Sequence, residues 1–208
     1  MYSLTFSILF VIFLVLTLSV RLWLSSRHIR HILTYRPAVP SQFSEKIALS
    51  AHQKAADYTI AKTKLSVLSM LFGATLLLGF TLLGGLQWLS VNVLSITGPG
   101  MNYEIALLVA FATISGLLDL PFDYYKQFVL EEKFGFNKMT FGLFIADMLK
   151  GIALSALIGL PLIWVILTLM GKAGDLWWFY AWCVWSGFQL LMLVLYPTLI
   201  APMSNNVL

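Results

Sequence analysis

Four long stretches of this 208-residue chain carry no charged side chain: residues 1–20, 65–103, 151–171 and 176–208. Hydrocarbon offers no water to satisfy peptide N–H and C=O groups, so a chain placed there must pair them internally. A run of about 20 apolar residues is long enough to do so as one membrane-crossing helix. Composition points the same way. The chain is 60% hydrophobic and 11% charged, with a mean hydropathy of +0.88, against about 45–50% and a quarter in soluble domains. A water-soluble domain of this make-up would expose large apolar patches. A soluble enzyme, a disordered tail and a nucleic-acid-binding module are therefore excluded, and no nucleic acid is expected as a partner.

The expected fold class is all-α: a polytopic membrane helix bundle of about five transmembrane helices plus a cytoplasmic amphipathic helix, in one membrane domain over residues 1–208. The spans are placed at about 4–24, 65–88, 104–122, 151–171 and 177–199. Between the first two, Pro37 and Pro40 break the chain and Ser41 is a candidate N-cap. Phe43, Ile47, Ala51, Ala55 and Tyr58 then recur at helical spacing, on a helix able to run on into the second span. Gly98-Pro99-Gly100 marks a turn within an expected loop at 91–103. Pro121 is expected to end or kink the third span, and Gly135 suits a helix C-terminus. Asn137 or Thr140 is expected to cap the fourth span's helix, which Pro161 is expected to kink. Trp177, Trp178 and Tyr180 read as an interfacial belt opening the fifth span.

Lys and Arg concentrate in cytoplasmic loops. Arg27, Arg30, Arg36, Lys46, Lys54, Lys62 and Lys64 follow the first span, and Lys126, Lys133 and Lys138 follow the third. The loop after the second span has none, and that after the fourth has only Lys172. The expected topology places the N-terminus outside and the end of the fifth span in the cytoplasm, with the lipid bilayer as the main partner.

Chemistry is sparse. A zinc protease of the H-E-x-x-H type needs two histidines one helical turn apart with a glutamate between. Here His28 and His31 are three apart, lack a carboxylate and are flanked by arginines; His52 stands alone. Asp119 and Asp123 are candidate interfacial charges, the latter with Lys126 in reach. Asp147 and Lys150, at i,i+3, are an expected local ion pair. Cys183, the one cysteine, reads as a buried or lipid-facing thiol. Neither a catalytic residue nor a metal ligand is assigned from the residues themselves.

The run Leu120-Pro-Phe-Asp-Tyr-Tyr-Lys-Gln-Phe-Val-Leu-Glu-Glu-Lys-Phe-Gly-Phe-Asn-Lys138, followed by Asp147 and Lys150, resembles the N-terminal membrane part of the type I CAAX prenyl proteases, which are integral-membrane zinc metallopeptidases. The stretches 52–62 and 196–202 resemble the same family's approach to its second span and exit from its fifth. The short first loop looks like the bacterial branch, which implies a bacterial inner membrane. The resemblance implies a non-catalytic half of a zinc metalloendopeptidase, walling an intramembrane chamber in which prenylated CAAX proteins or membrane proteins are cut. It places the H-E-x-x-H motif, its zinc and the glutamate base in a catalytic domain after residue 208. No cofactor is thus expected in this chain, and zinc is expected in the full-length protein. Residues 203–207 depart from the family's usual Phe-Asn-Lys-Phe, which marks the chain as a fragment or shortened product. The loop formed by Glu131, Glu132, Phe134, Phe136, Asn137 and Lys138 is the candidate docking element for the catalytic domain. A non-enzymatic scaffold or transporter subunit is the alternative the residues leave open. Transport is weakened by uncharged mid-span positions and the lack of an inverted repeat.

Overall fold

The computed structural model describes residues 2–195. Helices α1 (Tyr2–Tyr35), α2 (Leu49–Thr81), α3 (Gly85–Thr97), α4 (Met101–Tyr124), α5 (Phe141–Lys172) and α6 (Trp177–Leu195) follow in order. A π-helical segment, Tyr125–Glu131, runs straight on from α4, and short 3-10 turns lie at Ser41–Phe43 and Gly174–Leu176. No strand occurs among the described residues. Five helices are long and apolar enough to cross a membrane: α1, α2, α4 with its π extension, α5 and α6. Helix α3, with 13 residues, is only about 20 Å long and falls short of a crossing.

Several helices outrun the spans expected from sequence. Helix α1 does not stop at residue 24; its 34 residues measure about 50 Å against a hydrocarbon core of about 30 Å. Nothing between Ser25 and Tyr35 breaks a helix, so the backbone carries on until Pro37, which disfavours helical geometry at the residue before it. Helix α2 likewise joins a charged half, 49–64, to an uncharged half, 65–81. Its start differs from expectation. Ser41 does not cap it, because bonds from the Phe43 N–H to the Pro40 carbonyl and from the Ile47 N–H to the Phe43 carbonyl fold 40–47 into local turns. The helix begins after Ala48 without a side-chain cap.

Helix α2 also ends earlier than residue 88, and α3 fills most of the expected 91–103 loop. Gly84 takes φ +82°, a left-handed conformation that costs other residues about 1–2 kcal/mol. Gly85 lets the returning chain touch α2, since a Cβ there would lie 2.9 Å from the Gly79 carbonyl oxygen. The turn at Gly98-Pro99-Gly100 forms as expected, with φ +69° and +116° at its glycines. Pro121 does not end its helix, which continues through it into the π segment. Pro161 likewise lies inside a continuous α5, which starts directly after Thr140 rather than at 151. The fifth expected span is described to Leu195; its last residues, with the stretches 196–202 and 203–207, lie outside the described residues.

Contacts divide the chain into two units, one drawn from residues 1–96 and 109–141, the other from 97–108 and 142–208. In the first, α2 lies antiparallel between two partners. Along α2 from Phe80 to Phe72 to Tyr58, the aromatic partner advances from Phe111 to Phe122 to Phe134. Across its other flank, Arg36 forms a fork on Asp57, Nε to Oδ1 at 2.7 Å and Nη2 to Oδ2 at 2.8 Å. His52 Nε2 donates to the Tyr35 carbonyl at 3.0 Å. In the second unit, Asp147 and Lys150 form the expected pair at 3.5 Å within α5. On helix α6, Phe179 stacks on Trp182 and Cys183 is exposed.

Few side chains are hidden. The buried apolar residues among those described are Leu89, Val93, Leu130 and Phe134. In four of the five candidate spans none of the most apolar window is buried by protein. Exposing a Leu or Phe side chain to water forgoes about 1.5–3 kcal/mol. Helices apolar on every side belong in lipid, where that cost vanishes.

Two predictions follow from these contacts. Gly85→Ala should lower thermal stability in detergent through the Gly79 collision, whereas Gly73→Ala, in open space on α2, should be neutral or gain up to about 1 kcal/mol of helix propensity. The Arg36 guanidinium, chiefly through its hydrogen bond, holds the Asp57 carboxyl below the usual carboxylate range. The contribution of the pair is therefore complete above the unfolded pKa and is lost as the pH falls through the folded one. Melting curves should show wild type above Asp57→Asn at neutral pH, with the gap closing as the pH falls below about 4.

Candidate functional site

The helix leaving α4 ends in a Schellman turn. The Phe136 N–H donates to the Glu131 carbonyl at 2.9 Å and the Gly135 N–H to the Glu132 carbonyl at 2.9 Å. Gly135 takes the left-handed conformation, φ +70°, that this cap requires. The reversal sets Phe134 and Phe136 edge-on against one ring, Tyr58 of α2, with centroids at 5.4 and 4.9 Å. Edge-to-face pairs of this kind add about 0.5–1.5 kcal/mol each beyond area burial.

The Tyr58 hydroxyl donates to Glu131 Oε1 at 2.5 Å. That bond, then desolvation and the nearby negative charge, raise the Tyr58 pKa above the ordinary phenol value. The phenol therefore stays a donor throughout the physiological range. Cations surround the rings: Lys54 Nζ lies 5.5 Å from the Phe136 centroid, Lys62 Nζ 5.6 Å from Tyr58, and Lys133 Nζ 5.9 Å from Phe134. The Lys133 charge also helps to depress the Asp57 pKa.

Asn137 organises the rest of the loop. Its Oδ1 accepts from Gln127 Nε2 at 2.7 Å and from the Met139 N–H at 2.8 Å, while its Nδ2 donates to Glu132 Oε2 at 3.0 Å. Asn137 thus closes the loop rather than capping α5. The structure brings Glu131, Phe134 and Phe136 together on α2 and ties Glu132 to Asn137. Lys138 is exposed. Phe134 is 8% exposed and Phe136 50%, so the first is the anchor and the second has a free side.

The other predicted charges stand apart. Asp119 and Asp123 are exposed on α4. Neither lines the cleft of about 450 Å³ between α2, at Ala61 and Leu68, and the α4 side, at Phe122 and Val129. The expected pairing of Asp123 with Lys126 does not form; Arg36–Asp57 and Asp147–Lys150 are the ion pairs among the described residues. Tyr58, Arg36, Asp57 and Gln127 were not singled out from sequence as site residues. One signal was available: Asp57 is one of two acids in a strongly basic segment. Among the described residues, His, Cys, Asp and Glu side chains do not gather in threes. The arrangement fixes a loop to a helix; it sets no nucleophile beside a base.

The comparisons with known proteins agree with this architecture. A family profile described as CAAX prenyl protease N-terminal, five membrane helices, matches residues 28–206. The CAAX prenyl protease 1 homolog of Oryza sativa subsp. japonica is 40% identical over 116 residues, covering 53% of this chain and 27% of the rice protein. The human CAAX prenyl protease 1 homolog is 31% identical over 184 residues, covering 85% and 39% respectively. CAAX prenyl protease 1 of Saccharomyces cerevisiae is 29% identical over 191 residues, covering 84% and 42%. The crystal structure of S. mikatae Ste24p superposes with a TM-score of 0.83 at 27% identity, covering 93% of this chain and 46% of that one. The chain spans less than half the length of each of these proteins. With most of its length matched, and five helices of spanning length, the chain belongs to the CAAX prenyl protease family as its N-terminal membrane domain.

Proposed function

We propose that this domain is the non-catalytic, membrane-embedded half of a zinc metalloendopeptidase. Its five spans wall a chamber in which prenylated CAAX proteins or membrane-protein segments are cut, and it seats the catalytic domain at its cytoplasmic face. The observation that carries this reading is the clamped loop: Glu131, Phe134 and Phe136 are fixed to Tyr58 of α2, leaving one side of Phe136 and Lys138 outward.

The described residues do not fit a zinc site. His28 and His31 stand among Arg27 and Arg30, whose charges repel a dication, and His52 is held on the Tyr35 carbonyl. We place the metal and its chemistry in sequence outside these 208 residues. The orientation proposed is N-terminus outside and residue 208 in the cytoplasm, because the lysine- and arginine-rich segments follow the first and third spans. The short stretch between α1 and α2 supports a bacterial inner membrane as the location.

Two experiments test the reading. The purified 208-residue chain should cleave no prenylated CAAX peptide and retain no stoichiometric zinc after dialysis; chelator-sensitive cleavage by this chain would refute it. In a full-length form, Phe136→Ala should lower peptidase activity severalfold while lowering the melting temperature of the membrane domain less than Phe134→Ala does, since Phe136 is half exposed and Phe134 buried. Phe134→Ala should lower both. Full activity in the Phe136 variant would remove the docking role.

A further inference from the structure

The cleft between α1 and α2 is separate from the loop seat. It is lined by Leu22, Ser25, Ser26, Ile29 and Arg30 of α1 and by Lys64 and Val67 of α2, and holds about 360 Å³. Its residues change character together along the helices. Val67 belongs to the uncharged stretch 65–103 and Leu22 follows Arg21, the residue that ends the stretch 1–20, whereas Arg30 and Lys64 belong to the basic segment. The cleft therefore lies where charge begins on both helices, just past Arg21 on α1 and beside Lys64 on α2, as expected of a boundary between hydrocarbon and water. The Arg27 guanidinium lies 4.9 Å above the Trp23 ring, an amphipathic pair of the kind found at that boundary.

Charge in the cleft is one-sided. Helix α1 contains no Asp or Glu, and α2 contains none after Asp57, whose carboxylate is held by Arg36. Arg30 and Lys64 are exposed and form no ion pair among the described residues. Two hydroxyl-bearing residues, Ser25 and Ser26, also line the cleft.

We propose that this cleft is a binding site for an anionic phospholipid. The phosphate lies between Arg30 and Lys64, the seryl hydroxyls donate to the phosphate or glycerol oxygens, and an acyl chain runs along Leu22, Ile29 and Val67. The apolar half of the cleft argues for a lipid over free phosphate, and the unopposed cations argue for an anionic headgroup over a zwitterionic one. The site is independent of the proteolytic reading, since it uses no residue of the loop seat.

The test is a lipid titration of the 208-residue chain in detergent, read by native mass spectrometry. Each cation near a membrane surface contributes about a fivefold preference for anionic lipid. Phosphatidylglycerol should therefore bind more than tenfold tighter than phosphatidylcholine. Arg30→Gln should lose about fivefold and the Arg30→Gln/Lys64→Gln pair about 25-fold, while Arg30→Lys keeps the preference. Lys64 also borders the larger cleft on the far side of α2, so the Arg30 variant is the specific one. Lys172→Gln, on α5, should change nothing, and millimolar inorganic phosphate should not displace the lipid. Should the double variant fold poorly, Ser26→Leu, which fills the cleft and leaves both charges, should weaken binding by itself. Equal affinity for the two lipids, an unaffected Arg30→Gln variant, or full displacement by phosphate would overturn the proposal.

Discussion

Everything in this molecule follows from the need to pair backbone N–H and C=O groups inside hydrocarbon. That requirement converts uncharged sequence into helix and makes protein burial unnecessary for stability within the bilayer. Lipid tails are as apolar as leucine, so helices gain little by hiding leucines from them. The spans therefore leave most large apolar side chains outward, and only Leu89, Val93, Leu130 and Phe134 are buried among the described residues.

What lipid does not supply is specificity, and the structure finds it where helices project beyond the hydrocarbon. Helices α1 and α2 both run past the membrane, and their projecting ends meet through the Arg36–Asp57 fork. A second polar contact, Tyr58 to Glu131, joins α2 to the segment leaving α4. Both contacts lie on the charged half of α2, one on each flank. That half-helix is thus the hub through which the extramembranous parts of the first unit are registered to one another.

The sequence announced its local punctuation clearly. Pro37, the Gly98-Pro99-Gly100 turn and the Gly135 cap each act through their own backbone geometry, and Asp147 with Lys150 needs only one helical turn. Contacts between distant residues were not legible: Arg36 is 21 residues from Asp57, and Tyr58 is 73 from Glu131. Nothing in either segment alone specifies such a pairing. Two boundaries differ from the sequence expectation for physical reasons. The Gly84-Gly85 break lies in uniformly apolar flanks that read as one helix. Pro121 would stop a short helix in water, but a membrane helix tolerates it where adjacent turns adjust their hydrogen bonding, here next to a π segment.

That π segment has a further consequence. An α-helix rotates about 100° per residue, so a turn that accommodates an additional residue re-aims everything after it. Residues 125–131 act as a phase shifter between a lipid-facing rod and the aromatic hook beyond it. The two answer to separate physical demands, hydrophobic thickness on one and shape matching on the other. Deleting one residue within the shifter would keep the crossing intact yet swing the hook off its tyrosine.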